Sequence, residues 1–286
     1  MKYEAPQTLD AAVRLLAGES GLAKILAGGT DLLVQIRTDI IEPDLIVDIK
    51  GIDEVRTITQ EAGGFRVGAA VSGAELEENE AFAKAWPGVL EGANLIGSTQ
   101  VQGRASLGGN LCNGSPAADS VPGLIAAAAT ARVIGPNGTR EILVEDVMTG
   151  PRQLAISKDE IIVSFFLPDR PAHSGDAYLR FIPRTEMDIA VVGSAVNLTL
   201  DDAGKITDAR VTLGAVAPRP LLVAEAAQAI IGTTLDDAAM DKLGAAASAA
   251  CNPIDDKRGT IEYRTKVAAV IAQRTAKIAY DRARAN

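Results

Sequence analysis

Histidine and cysteine are nearly missing from this chain of 286 residues: His173 is the only histidine, and Cys112 and Cys251 are the only cysteines. An iron–sulfur cluster takes about four cysteine ligands, and a zinc site of His and Cys type takes about three or four converging groups. The chain therefore holds neither by itself. A Ser–His–Asp or Cys–His hydrolase would have to work through His173, which lies in the polar stretch RPAHSGD without a nucleophile elbow nearby. Hydrolysis is disfavoured. Basic residues are also short, with 28 Lys and Arg against 37 Asp and Glu and a net charge of −9. Nucleic-acid binding needs the opposite surplus on one face, so no nucleic-acid partner is expected. Long apolar runs are absent too: nowhere do about 18 uncharged apolar residues follow one another, and the opening MKYEAPQTLD lacks a basic stretch before an apolar run. No transmembrane segment is expected, and the reading is a soluble, cytoplasmic protein.

What is present reads as an α+β chain in three parts, at 1–55, 56–174 and 175–286. In the first, Thr8 caps a helix whose Leu9, Ala12, Val13 and Leu16 share a face. Ala23–Leu26 then reads as a strand, Gly28-Gly29 as a break, Asp31–Arg37 as a helix with Leu32, Leu33 and Ile36 on one side, and Leu45–Asp48 as a strand. In the second, strands are expected at Val55–Thr59, Phe65–Val67 and Ile161–Leu167, with a capping box at Ser72–Glu75 opening short helices that run to about Leu95. Ala131–Ile134 and Arg140–Leu143 flank Gly135-Pro136-Asn137-Gly138, a hairpin turn. In the third, strands near Ala177–Arg184, Val191–Leu200 and Lys205–Ala217 precede helices that reach the end. There the alanine-rich 237–250 is a good helix former, and Ile261, Val267, Val270 and Ile271 are apolar positions of 260–284.

Two segments have the chemistry of a cofactor site. Ala27, Gly28, Gly29, Thr30, Asp31 and Leu32 lie between a strand and a helix, where glycines let backbone N–H groups converge on an anion such as a pyrophosphate. Paired glycines in that place also make plain turns, and the spacing is not the G-x-G-x-x-G of a Rossmann site. The second segment, 105–120, is a low-bulk run ahead of the apolar 121–129, and a loop of that length is costly to order without a ligand. Its Leu107, Gly108 and Gly109 would let the backbone close on a ligand, while Ser106, Asn110 and Ser115 are candidate phosphate donors. Asp119 is a candidate ribose acceptor, and Cys112 reads as a small packing residue with no cation beside it to activate the thiol. Micromolar affinity corresponds to roughly −8 kcal/mol, whereas one helix-terminus charge contact gives about 0.3–1 kcal/mol. A dinucleotide with a buried flat ring, held by both segments, fits better than a bare phosphate.

LAGGTDLL at 26–33, ASLGGNLCNGSPAADS at 105–120, and Tyr178-x-Arg180-x-x-x-Arg184-x-x-x-Asp188-Ile189-Ala190 leading into VVGSAVNL occur in this order along the chain. Together they resemble the FAD-binding medium subunits of the carbon monoxide dehydrogenase and xanthine dehydrogenase group of molybdenum hydroxylases, over essentially the whole length. The resemblance implies a two-lobed FAD-binding domain of the vanillyl-alcohol-oxidase (PCMH) type, followed by a C-terminal α+β domain like that of carbon monoxide dehydrogenase flavoproteins. It implies FAD as cofactor, with the two glycine segments at the pyrophosphate, Ile96 near the adenine, Asp119 near the ribose or adjoining chain, and Ile162, Arg180 and Ile189 around the isoalloxazine. The implied partners are a large molybdopterin-binding subunit, which oxidises the substrate, and a small subunit with two [2Fe–2S] clusters, arranged as a dimer of heterotrimers. Longer relatives with an added iron–sulfur insertion are not matched, and some carbon monoxide dehydrogenase flavoproteins have tyrosine where this chain has Ile189. A self-sufficient FAD-dependent oxidase or reductase of the same fold is the alternative, with covalent histidyl flavin attachment open only to His173. A cofactor-free scaffold is the third reading.

Overall fold

In the computed structural model, which describes residues 1–286, the chain forms three main sheets in sequence order and a small two-stranded one. The first part runs β1 (Lys2–Glu4), α1 (Leu9–Gly18), β2 (Ala23–Leu26), α2 (Leu32–Arg37) and β3 (Leu45–Asp48), and its parallel sheet has the order β1-β3-β2. The Thr8 hydroxyl accepts from Ala11 N–H and starts α1, which turns Ala12, Val13 and Leu16 onto Leu45 and Val47. The α2 helix behaves differently. None of its residues is buried, and Leu33 and Val34 stay 50% and 57% exposed, so the apolar spacing there does not mark a packed face. The strand expected from Val55 starts later, because Asp53–Val55 is a 3₁₀ turn that drives Val55 into the core of the first part.

The second part is a five-stranded sheet of order β4-β5-β10-β6-β7, built from β4 (Ile58–Glu61), β5 (Gly64–Gly68), β6 (Thr130–Gly135), β7 (Gly138–Leu143) and β10 (Ile161–Pro168). Its pairings are antiparallel, and β6 and β7 form the expected hairpin. Between β5 and β6 come α3 (Gly73–Glu78), α4 (Glu80–Ala85), α5 (Pro87–Ala93), α6 (Thr99–Gln102), α7 (Leu107–Cys112) and α8 (Ser120–Ala126). Ser72 and Glu75 close a full capping box at α3. Residues 105–120, read from sequence as one long low-bulk loop, instead enclose α7, whose first turn is fixed by Ser106 Oγ accepting from Gly109 N–H at 3.2 Å. Phe65, Phe82, Trp86, Leu124 and Phe165 fill the core, with Phe65 and Phe82 edge to face at 5.7 Å. The short α9 (Val144–Val147), β8 (Met148–Gly150) and β9 (Gln153–Leu154) lead back to β10.

In the third part, β11 (Ser174–Phe181), β12 (Val192–Leu200), β13 (Ile206–Gly214) and β14 (Leu221–Leu222) form an antiparallel sheet under α10 (Ala224–Ile230), α11 (Asp237–Ala249) and α12 (Ile261–Ala285). The buried stripe of α12 is alanine-rich: Ala268, Ala272, Ala276, Ala279 and Ala283, joined by Ile271, Thr275 and Tyr280. Ile261 and Val270, two of the apolar positions named from the sequence, are exposed. Small residues are needed because α12 lies against β11 so closely that an added Cβ on Gly175 would fall on the Ala279 carbonyl. Buried ion pairs join this part to the second. Arg170 meets Asp176 at 2.7 Å, Asp176 also accepts from Gly88 N–H at 2.8 Å, and Arg180 meets Asp119 at 2.6 Å. No helix is long and apolar enough to cross a membrane.

Candidate functional site

A cleft of about 360 Å³ opens between the β2–α2 connection, the start of α7 and the stretch from β9 into β10. Its first wall is Ala27, Gly28, Gly29, Thr30, Asp31 and Leu32. Gly28 packs so tightly on the second segment that an added Cβ would coincide with the Arg104 carbonyl oxygen, and Gly29 takes φ +76°, a left-handed conformation. This geometry leaves the N–H groups of five consecutive residues, Gly28 to Leu32, without an acceptor in the chain. Half-buried donors in that state are unstable unless water or a ligand accepts from them. Asp31 lies beside them with no cationic partner; its Oδ1 accepts from Asn113 Nδ2 at 3.1 Å, and partial burial raises its pKa. Gln35 donates to Asn113 Oδ1 at 3.1 Å, so Asn113 stitches the two walls together.

The second wall carries Ser106, Gly108, Gly109, Asn110 and Cys112. Here the backbone donors are already used: Gly108 N–H bonds Ala69 O at 3.0 Å, Gly109 N–H bonds Ser106 Oγ, and Asn110 N–H bonds Ser106 O at 2.9 Å. Asn110 Oδ1 accepts from the Ser120 N–H and hydroxyl at 3.1 and 2.7 Å. A Cβ on Gly108 would strike the Ala69 carbonyl, whereas one on Gly109 would meet nothing nearer than its own cap, Ser106 Oγ, at 3.2 Å. Cys112 is an exposed residue of this wall and lies outside the hydrophobic core clusters. The surrounding wall still desolvates its thiol enough to push it up to about 12, which leaves it unreactive near neutrality.

Ile96 and Ile162 complete the part of the cleft legible from sequence. Five expected residues lie outside its walls. Leu107 is core, and Ser115 Oγ accepts from Ala117 N–H in a turn. Asp119 is buried and takes hydrogen bonds from Tyr178 Oη at 2.8 Å and Arg180 Nη1 at 2.6 Å. Burial pushes the Asp119 carboxyl up to about 6 against the pull of both partners. Arg180 Nε is buried without a partner. Ile189 is exposed on the 182–190 loop, whose Met187 N–H reaches Gly97 O, next to Ile96, at 3.4 Å. Sequence reading missed Lys24 and Ile25, which flank the glycine pair, and the Leu154–Lys158 stretch, which has no motif or periodicity to single it out. A larger cavity of about 810 Å³ lies on the third part, walled by His173, Asp201, Asp202, Lys277, Tyr280 and Arg284 among others. It has one glycine, Gly204, in place of the glycine pairs of the cleft, and His173 lines it rather than the cleft. No group of His, Cys, Asp and Glu side chains converges in a way that would hold a metal ion.

Residues 1–170 match the family model described as the FAD binding domain in molybdopterin dehydrogenase, and residues 177–279 match the CO dehydrogenase flavoprotein C-terminal domain. The chain is 32% identical over 264 residues to the putative xanthine dehydrogenase FAD-binding subunit of Escherichia coli (strain K12), covering 92% of this chain and 90% of that protein. It is 33% identical over 282 residues to the carbon monoxide dehydrogenase medium chain of Afipia carboxidovorans, covering 99% and 97%. Among solved structures, a chain of reconstituted CO dehydrogenase from Oligotropha carboxidovorans superposes with a TM-score of 0.94 at 32% identity, covering 99% of this chain and 98% of that one.

Proposed function

Since this chain belongs to the family of FAD-binding subunits of molybdenum hydroxylases, we propose that it is the electron-transfer subunit of such a complex, accepting electrons from [2Fe–2S] clusters on a partner and passing them to an external acceptor. It is an oxidoreductase subunit, and its cofactor is FAD. The partners we propose are a large molybdopterin-binding subunit and a small iron–sulfur subunit, assembled as a dimer of heterotrimers.

The observation that carries the reading is the row of five N–H groups from Gly28 to Leu32 with no acceptor in the chain, facing a cleft whose opposite wall is kept open at Gly109. A diphosphate supplies the oxygen acceptors such a row lacks. The residues therefore fit FAD, with Gly28–Leu32 donating to the diphosphate, Gly108 and Gly109 keeping the second wall low, and Ile96 and Ile162 supplying apolar surface for the rings. FAD, when bound, supplies the redox chemistry, including the exchange between one-electron donors and two-electron acceptors. Arg180, held by Asp119, and Ile189 lie outside the cleft walls, on the β11 strand and on the loop whose Met187 N–H reaches Gly97 O. We assign them to the flavin's surroundings.

An absorption spectrum of the purified chain, taken before and after acid precipitation, tests this reading. Flavin bands that pass into the acid supernatant, with no iron–sulfur absorbance, are the expected result for the isolated chain, and a separate pull-down is expected to bring molybdenum and iron–sulfur subunits with it. Colourless protein that takes up no added FAD would overturn it, and substrate turnover by the chain alone would favour a self-sufficient flavoenzyme.

A further inference from the structure

Backbone N–H groups carry no net charge, yet an ionised diphosphate must enter a cleft in a chain whose net charge is −9. Two carboxylates line that cleft. Asp31 has no cationic partner, and Glu160 is matched by Arg140 at 2.8 Å. Lys24 and Lys158 are the two cationic side chains of the lining, and they come from different parts of the fold: Lys24 from β2, Lys158 from the connection between β9 and β10. The lysines that form ion pairs are Lys2, Lys50 and Lys277, so the charges of Lys24 and Lys158 are uncommitted. We propose that Lys24 and Lys158 are diphosphate-binding residues that supply the counter-charge the glycine cradle lacks and bridge the two lobes through the bound ligand. This assignment rests on the FAD reading above.

It makes affinity depend on ionic strength in a way hydrogen bonding to neutral N–H groups does not. The full chain, stripped of flavin, is titrated with FAD by flavin fluorescence at low and high salt. Lys24→Gln and Lys158→Gln each weaken binding by about fivefold at low salt, the double variant loses most of the salt dependence, and Lys24→Arg and Lys158→Arg restore it. Lys277→Gln, far from the cleft, changes neither. A double Gln variant that binds FAD like the unaltered chain at both salt levels overturns the assignment while leaving the cofactor reading intact. An unaltered chain that takes up no FAD overturns both.

Discussion

Gly28-Gly29 and Gly108-Gly109 stand on opposite walls of one cleft and look alike on paper, each a glycine pair at the start of a short helix or just ahead of one. At the first pair the backbone is contorted, with Gly29 in the left-handed region, and the five donors from Gly28 to Leu32 are left free. At the second the backbone is an ordinary capped helix start, and its donors are consumed by Ala69 and Ser106. The first pair thus offers hydrogen bonds, while the second offers absence of bulk. Within the second pair the two glycines also divide the work: Gly108, like Gly28, is required by the protein's own packing, and Gly109 is not. A glycine whose Cβ would strike protein is needed for folding. One whose Cβ would enter an open cleft keeps room for something else.

The largest expected effect comes from the far end of the second segment, where Asp119 serves the fold. Asp119→Ala strips the buried Arg180 guanidinium and the Tyr178 hydroxyl of their acceptor, and the loss expected in a denaturant titration is about 3–5 kcal/mol. An Asp119→Ala chain of near-native stability would show that this end of the segment exists for a ligand alone. Next is Gly28→Ala, which forces the two walls apart at the Arg104 carbonyl. Overpacking of that kind costs about 1–3 kcal/mol, read as a lowered Tm, and FAD retention falls with it. Asn113→Ala removes the stitch from Asp31 and Gln35. Its expected cost is about 1 kcal/mol, and weakened FAD binding in a fluorescence titration accompanies it.

Much of this molecule can be read from local chemistry. The Ser72–Glu75 capping box, the Gly135–Gly138 hairpin and the glycine pair after β2 announce themselves because each is fixed by neighbours in sequence. The Leu154–Lys158 wall does not, since it joins the cleft only through the path of the chain from β9 into β10. The alanine stripe of α12 is hidden for a related reason. Burial there is decided by how closely β11 approaches, and hydrophobicity scales favour Ile261 and Val270, which point to solvent. Asp119 was legible as a residue with a special task, but its partners Tyr178 and Arg180 lie about sixty positions further on, on the sheet of the third part.

The central claim is that the Gly109 side of the cleft is kept empty for FAD, and Gly109→Val tests it most directly. A Cβ at this position meets only Ser106 Oγ in the protein, so the expected effect on stability is about 1 kcal/mol. The measurement is the flavin content of the purified variant beside that of the unaltered chain. A folded, colourless variant that takes up no added FAD is the predicted result; a folded variant as yellow as the unaltered chain would contradict the placement of the cofactor in this cleft.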